Sequence, residues 1–327
     1  MKILVTGSAG HLGEALIRTL QQSGYETIGI DIKASRFTAQ VGSITDCTFV
    51  KQNMEGVQAV YHTATLHKPH VVTHNMQQFV DTNITGTLNL LQEAVKAGVK
   101  SFVFTSTTSV FGDALVPPIG MPAAWITEDV RPVPKNIYGV TKFAAENLCQ
   151  LFYRNYGLPC IILRTSRFFP EEDDRREVRE SYAGENLKVN EFLFRRVDIE
   201  DVVSAHLLAA DRVGKLGFGT YIISATSPFL PIHLSALRND APSVIKELFP
   251  GFEIEYQRNN WRMFTEIDRV YVNELARLNL GWVPKYDFHY ILKCLNAGTK
   301  WQSELTSLIG EKGYHEKSFS GEPYPVS

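Results

Sequence analysis

Along the first half of the chain, short continuous apolar runs alternate with segments whose apolar positions recur every three or four residues. The runs predict strands and the periodic segments predict helices. Ile3, Leu4 and Val5 form the first run, and Ala15, Leu16, Ile17 and Leu20 the first helical stripe. Further strands are predicted over 27–30, 59–62, 101–105 and 160–164. Helices are predicted over 78–97, with Phe79, Leu88, Leu91 and Ala94 on one stripe, and over 138–156. Alternation on this scale implies a parallel sheet covered on both faces, an α/β doubly wound (Rossmann) arrangement with its ligand at the carboxyl ends of the strands.

Beyond residue 164 the pattern changes. The charged stretch over 168–190 lacks an apolar period and reads as a surface excursion. A helix over 197–213, carrying Val202, Val203, Leu207 and Leu208, and a strand over 220–224 return to the sheet. After residue 228 only helices over 242–249 and 272–278 stand out, and the end, 311–327, reads as an ordered, non-repetitive wrap. The expected organisation is a Rossmann domain of residues 1–165 plus 196–225 and a smaller, discontinuous α/β substrate domain of residues 166–195 plus 226–327. No internal repeat or low-complexity segment interrupts it.

Composition narrows the class. With 44% hydrophobic and 21% charged residues in 327, the chain has the profile of a soluble globular enzyme. A formal charge of −2 makes no electrostatic case for nucleic acid. Cys47, Cys149, Cys160 and Cys294 lack metal-ligand spacing, so no metal is expected and reduced thiols in the cytoplasm are the simplest account. Met1 leads straight into the first strand, which leaves no room for a signal peptide, and no apolar run reaches membrane-span length.

The chemistry begins where the first strand breaks into Gly7, Gly10 and Gly13. A strand, a glycine turn and a helix let the backbone approach a pyrophosphate, with the first-turn N–H groups as the anion site. Gly7 makes the turn, Gly10 allows the approach and Gly13 lets helix and strand pack. The spacing is one residue longer than the common dinucleotide fingerprint. The second strand ends in Asp31, whose carboxylate suits the adenosine ribose hydroxyls and disfavours a 2′-phosphate, so NAD is expected over NADP. Lys33 and Arg36 keep NADP open.

Tyr138 and Lys142 stand four apart at the start of a helix and share a face. Beside a nicotinamide, the ammonium would lower the tyrosine's pKa, letting it take a proton from a substrate hydroxyl as hydride leaves the same carbon. Ser106, Thr107, Thr108 and Ser109 follow the strand over 101–105, placed either to bond a substrate alcohol or to satisfy their own turn.

TGSAGHLG, Asp31, YHTAT, Asn83 with GTLNLLQEA, VFTSTTSVFG and YGVTK, in this order, resemble the extended short-chain dehydrogenase/reductase family of nucleotide-sugar epimerases and dehydratases. The resemblance implies an NAD site made by Gly7, Ala9, Gly10, His11, Leu12, Gly13, Asp31, Ile32, Ser43, Ile44, His62, Thr63, Ala64, Thr105, Ser106, Tyr138 and Lys142. It implies Tyr138 as base, Lys142 on the cofactor ribose, Thr107 assisting the tyrosine and Asn83 supporting the site. Thr65, His67, Thr108, Arg167, Phe169, Arg196 and Arg262 fall where the family contacts substrate, with Arg262 near the position of a diphosphate-binding arginine.

The departures also matter. Dehydratases carry an acidic pair after the threonine, where this chain has Thr108 and Ser109. Ser43 replaces an adenine-contacting carboxylate, Arg167 replaces an asparagine, and the histidine before the late Asp-Val pair is absent from RRVDIEDVV. The leading expectation is an NAD-dependent nucleoside-diphosphate-sugar epimerase acting on a small-molecule substrate, as a homodimer through the Asn83 and Tyr138 helices. The alternatives are an NAD(P)-dependent oxidoreductase on a small hydroxylated metabolite and a non-catalytic NAD(H) sensor. The intact Thr107, Tyr138 and Lys142 set argues against the sensor.

Overall fold

The computed structural model describes residues 1–173 and 175–313, so the end of the expected wrap lies outside the described residues. Seven parallel strands form the main sheet. They are β1 (Lys2–Thr6), β2 (Glu26–Asp31), β3 (Gln40–Val41), β4 (Ala59–His62), β5 (Ser101–Thr107), β7 (Cys160–Thr165) and β8 (Phe218–Ile223), in spatial order β3-β2-β1-β4-β5-β7-β8. The order reverses between β1 and β4, and a crevice opens there at the carboxyl ends of the strands. A separate parallel pair joins β6 (Ala124–Ile126) to β9 (Arg269–Tyr271).

Helices cover both faces. Ile3 and Val5 pack with α1 (His11–Gln22) and α8 (Ile199–Leu216). Leu4, between them on β1, faces the other way, into the core shared by α2 (Cys47–Asn53), α4 (Gly86–Ala97) and α5 (Ile137–Tyr156). This alternation makes the middle of β1 a continuous apolar run.

The helix predicted over 78–97 begins as α3 (Met76–Phe79) and reaches α4 only through a π-helical turn, Val80–Thr85. The stretch over 168–190 is not purely a surface excursion. It holds α6 (Arg176–Ser181) and α7 (Gly184–Glu191), and Leu187, Val189, Asn190 and Glu191 are buried. Short helices fill the irregular third of the chain: α9 (Leu234–Asn239), α10 (Ala241–Leu248), α11 (Phe252–Arg258), α12 (Glu274–Leu280), α13 (Phe288–Asn296) and α14 (Glu304–Ile309). Val189, Phe192 and Leu193 pack with Ile245, Tyr256 and Phe288 in a core of their own. No helix among the described residues is long and apolar enough to cross a membrane.

Candidate active site

A cavity of about 1030 Å³ lies at the carboxyl ends of β1, β2, β4 and β5. Gly7, at φ +73°, turns the chain out of β1, and a Cβ there would meet Ala64 N at 2.7 Å. A Cβ on Gly13 would lie 2.0 Å from Gly7 O, so helix and turn touch through a missing side chain. Gly10 differs: its Cβ would meet only Gly7 O, at 3.2 Å, and the residue lines the cavity. A side chain there would stand in ligand space. Gly10 is also the N-cap of α1, so the turn presents the first-turn N–H groups of a twelve-residue helix to the cavity. Asp31 accepts from Ala9 N at 3.0 Å and Lys33 N at 2.9 Å, which fixes its carboxylate at the far end. Ile32, Ser43, Ile44, Thr63, Ala64, Thr65, His67, Thr105, Ser106, Tyr138 and Phe169 line the same space. These residues fit an extended dinucleotide.

His62 does not line it. The ring is fully buried below the floor, 2.8 Å from Thr6 Oγ1 and 2.9 Å from Thr87 Oγ1. Thr6 Oγ1 accepts from Thr63 N and Ala64 N, so its own proton goes to His62 Nδ1. Thr87 Oγ1 donates to Asn83 O, so it accepts from His62 Nε2. The network thus assigns a neutral ring, and burial together with the nearby Lys142 charge holds its pKa well below the usual range. His62 therefore ties the loop at 63–64 to the π turn from below the cavity lining.

That π turn carries Asn83. Its amide accepts from Leu66 N at 2.8 Å and Thr65 Oγ1 at 2.9 Å, and it donates to Leu66 O at 2.9 Å and Thr141 Oγ1 at 3.0 Å. The loop after β4 is thereby pinned to α5 one turn from Tyr138. A helix with ordinary bonding would turn this residue elsewhere; π turns recur at functional sites for this reason.

Tyr138 is 8% exposed and shares a hydrogen bond with the Thr107 side chain. Thr107 ends β5, and its hydroxyl also accepts from Ser109 N at 3.1 Å. The expected lowering of the tyrosine's pKa is not realised. Burial pushes it up to about 12, against the pull of the Thr107 hydrogen bond. Lys142 lies one helical turn on, 2% exposed, with Nζ 4.0 Å from the Phe104 ring centroid. Burial lowers its pKa to about 7, while Glu146 and Cys149 draw it upward. Near pH 7 the phenol therefore keeps its proton, while the ammonium of Lys142 is on the point of losing its own.

Two supporting groups escaped the sequence reading. Glu146, one further turn along α5, accepts from Ser106 Oγ at 2.5 Å and from Arg164 Nη2 at 2.8 Å. His206 accepts from Thr105 Oγ1 at 2.8 Å while its Nδ1 donates to Val202 O, and burial lowers its pKa to about 4. Glu146 continues the four-residue spacing of Tyr138 and Lys142, which was a usable signal. The pairing of Thr105 with His206 spans 101 residues and left none.

The proposed substrate residues separate into groups. Thr65, His67 and Phe169 face the large cavity, the His67 and Phe169 rings 5.6 Å apart. Thr108 is buried in a 3-10 turn outside the cavity lining. Arg167 and Arg196 line a second cavity of about 170 Å³, with Tyr182 and Lys188. Arg196 is 4% exposed and pairs with Glu191 at 2.7 Å, and Arg167 pairs with Asp173 at 2.6 Å. Arg195 meets Glu191 at 2.9 Å, and together the arginines hold that fully buried carboxyl below its usual range. Arg196 is thus committed to an ion pair. Arg262 lines neither cavity: it donates to Ser181 O and stacks 4.6 Å over Tyr182.

Comparison with known proteins places this geometry. UDP-glucose 4-epimerase of Lactobacillus helveticus is 24% identical across 97% of this chain and 100% of its own length. An uncharacterised UDP-glucose epimerase, YtcB of Bacillus subtilis, is 30% identical over 50% of this chain and 55% of that one; the chain spans about half the length of several curated relatives. Among solved structures, UDP-glucose 4-epimerase of Thermotoga maritima with UDP-glucose superposes with a TM-score of 0.63 at 24% identity, covering 90% of this chain and 96% of that one. The NAD dependent epimerase/dehydratase family matches residues 3–223, and the chain belongs to that family.

Proposed function

We propose that the protein epimerises a nucleoside-diphosphate sugar, with Tyr138 as the proton-transfer group. The observation that carries the reading is the Thr107 to Tyr138 hydrogen bond in the wall of a cavity that also holds the glycine turn and Asp31. Gly10 and the first turn of α1 would receive the cofactor diphosphate, Asp31 the adenosine ribose, and Lys142 the ribose nearer the reacting carbon. When bound, NAD supplies reversible hydride exchange with that carbon.

Tyr138 takes the proton of the sugar hydroxyl and later returns it. Thr107, donating to the tyrosine oxygen, stabilises the phenolate that stands before the proton is taken and after it is returned. A base with a resting pKa of about 12 needs help, and a cation drawn up beside it is the available means. Lys142, poised at about 7, gains its proton readily once anionic charge develops nearby. Proton transfer is therefore tied to a loaded site.

Several further residues support the epimerase over its relatives. Thr108 and Ser109 offer no acid to expel a hydroxyl, which disfavours dehydration. His67 and Phe169 flank the space for the sugar, and the second cavity, with Arg167 and Lys188, adjoins it through the 167–173 segment. The 166–195 and 226–327 segments would form the substrate side. Arg262 acts through Tyr182. A homodimer would pair α4 and α5, the latter with Val140 and Leu151 exposed. A simple oxidoreductase is the second reading, favoured by Arg196 being held in an ion pair and Arg262 lying outside both cavities, so that neither faces a substrate diphosphate in the large one.

The test is mass spectrometry of ligands released from the purified protein, joined to a thermal-shift screen of UDP-, dTDP- and GDP-sugars with NAD⁺. Co-purified NAD and a shift for one nucleotide class support the epimerase. An empty protein that no nucleotide sugar stabilises points to the oxidoreductase.

A further inference from the structure

A segment from the far end of the chain lies against the cofactor turn. After α14 the backbone returns to the N-terminal end of α1, where Lys312 Nζ sits 2.5 Å from Glu14 Oε2. The Lys312 backbone N–H donates to Glu171 Oε1 at 3.1 Å, and the same carboxylate meets His11 Nε2 at 2.7 Å. Lys312 and Gly313 line the large cavity beside Gly10, His11 and Phe169. Three contacts thus draw together the glycine turn, the 167–173 segment and the C-terminal segment.

Glu14 meets two cations, Lys312 and Arg18, while the Glu171 carboxylate of the same cluster meets His11 and the Lys312 backbone. Glu14 lies in the first turn of α1, 7% exposed, where a bound anion would gather. Its Oε1 is already matched by Arg18 at 2.7 Å, and Arg18 does not line the cavity. Lys312 therefore shares the Glu14 carboxylate with Arg18, each on its own oxygen. It is also the one of the two cations that reaches the cavity wall.

We propose that Lys312 belongs to the cofactor site: anchored by Glu14 and by its own backbone bond to Glu171, its ammonium supplies a cation to the diphosphate bridge of the dinucleotide. This rests on the reading that the diphosphate lies at the Gly7–Gly13 turn. The C-terminal segment thereby becomes part of the binding site, and cofactor affinity depends on a residue outside the span matched by the family.

The experiment titrates NADH, by its fluorescence, into the full-length protein without any sugar. Lys312→Met should weaken NADH about tenfold at low salt, the size of one charge-assisted contact in a partly exposed setting. Raising the salt to about 1 M should largely close the gap between variant and wild type. Binding of adenosine, which has no phosphate, should be unchanged. Wild-type NADH affinity at low salt overturns the proposal, as does a loss that adenosine shares or that salt leaves intact. Lys312→Gln carries the same expectations if the methionine variant does not yield folded protein. Because no sugar is present, the result stands apart from whether Tyr138 catalyses epimerisation.

Discussion

Lys142→Met tests how strongly the fold is strained to place a cation at the candidate site. The lysine is 2% exposed, and burial lowers its pKa from 10.5 to about 7. At 1.36 kcal/mol per unit, the buried ammonium opposes folding by about 5 kcal/mol near neutral pH. The Phe104 contact at 4.0 Å returns about 1–2 kcal/mol of that. Methionine keeps much of the stem and removes the charge, so the variant should be about 3 kcal/mol more stable at pH 7, or about 5 °C higher in Tm for a chain of this size. The pH dependence gives a second handle. Between pH 7 and 10.5 the unfolded chain holds a proton that the folded one has lost. Wild-type stability therefore rises with pH through that window, falls as pH is lowered through it, and is flat in this respect below 7. Thermal unfolding of both proteins from pH 6 to 10 should show their difference shrinking as pH rises. An unchanged or lower Tm for Lys142→Met at pH 7, or a difference constant with pH, would refute the reasoning. The same variant should lose turnover, because the proposed ribose and proton-transfer contacts go with the charge.

Tyr138→Phe removes only the buried hydroxyl that bonds Thr107, so NADH affinity and Tm should stay within narrow limits while turnover falls about 10³-fold or more; retained activity would exclude the tyrosine as base. Asn83→Ala deletes four hydrogen bonds, three to the loop after β4 and one to α5, and should lower stability by about 2–4 kcal/mol, read by urea unfolding. A neutral outcome would show that the π turn holds its place without them. Asp31→Ala should weaken NAD about tenfold and narrow its advantage over NADP; an unchanged ratio from paired titrations would remove the carboxylate from the ribose.

The strand, glycine turn and helix at the start of the chain were legible because their apolar pattern and backbone demands are local. Gly7 needs its positive φ, and Asp31 ends the neighbouring strand in register with β1. Tyr138 and Lys142 were legible for the same reason, since four-residue spacing fixes their shared face. Their charges were not, because burial against Phe104 and the sheet is a tertiary fact and outweighs the mutual effect that spacing suggests. The π turn is silent in sequence: one extra residue in a turn leaves the apolar stripe of the helix almost unchanged. His62 read as a cofactor contact because it adjoins Thr63 and Ala64, which line the cavity; the alternation of side chains along β4 turns it the other way. In the C-terminal third, helices of six to nine residues give too few turns for a clear period, and α7 hides its buried Glu191 within a run of charge. The pairing of Lys312 with Glu14, 298 residues apart, has no local trace at all.

The most direct test of the central claim is proton NMR of the enzyme acting on UDP-, dTDP- and GDP-hexoses in D₂O with NAD⁺. The account predicts that one class is converted to its epimer with the original hydrogen kept on the inverted carbon, and that no NADH builds up, because hydride is exchanged within the site while Tyr138 handles only the hydroxyl proton. Deuterium on that carbon, or NADH accumulating in step with a released ketone, would contradict it.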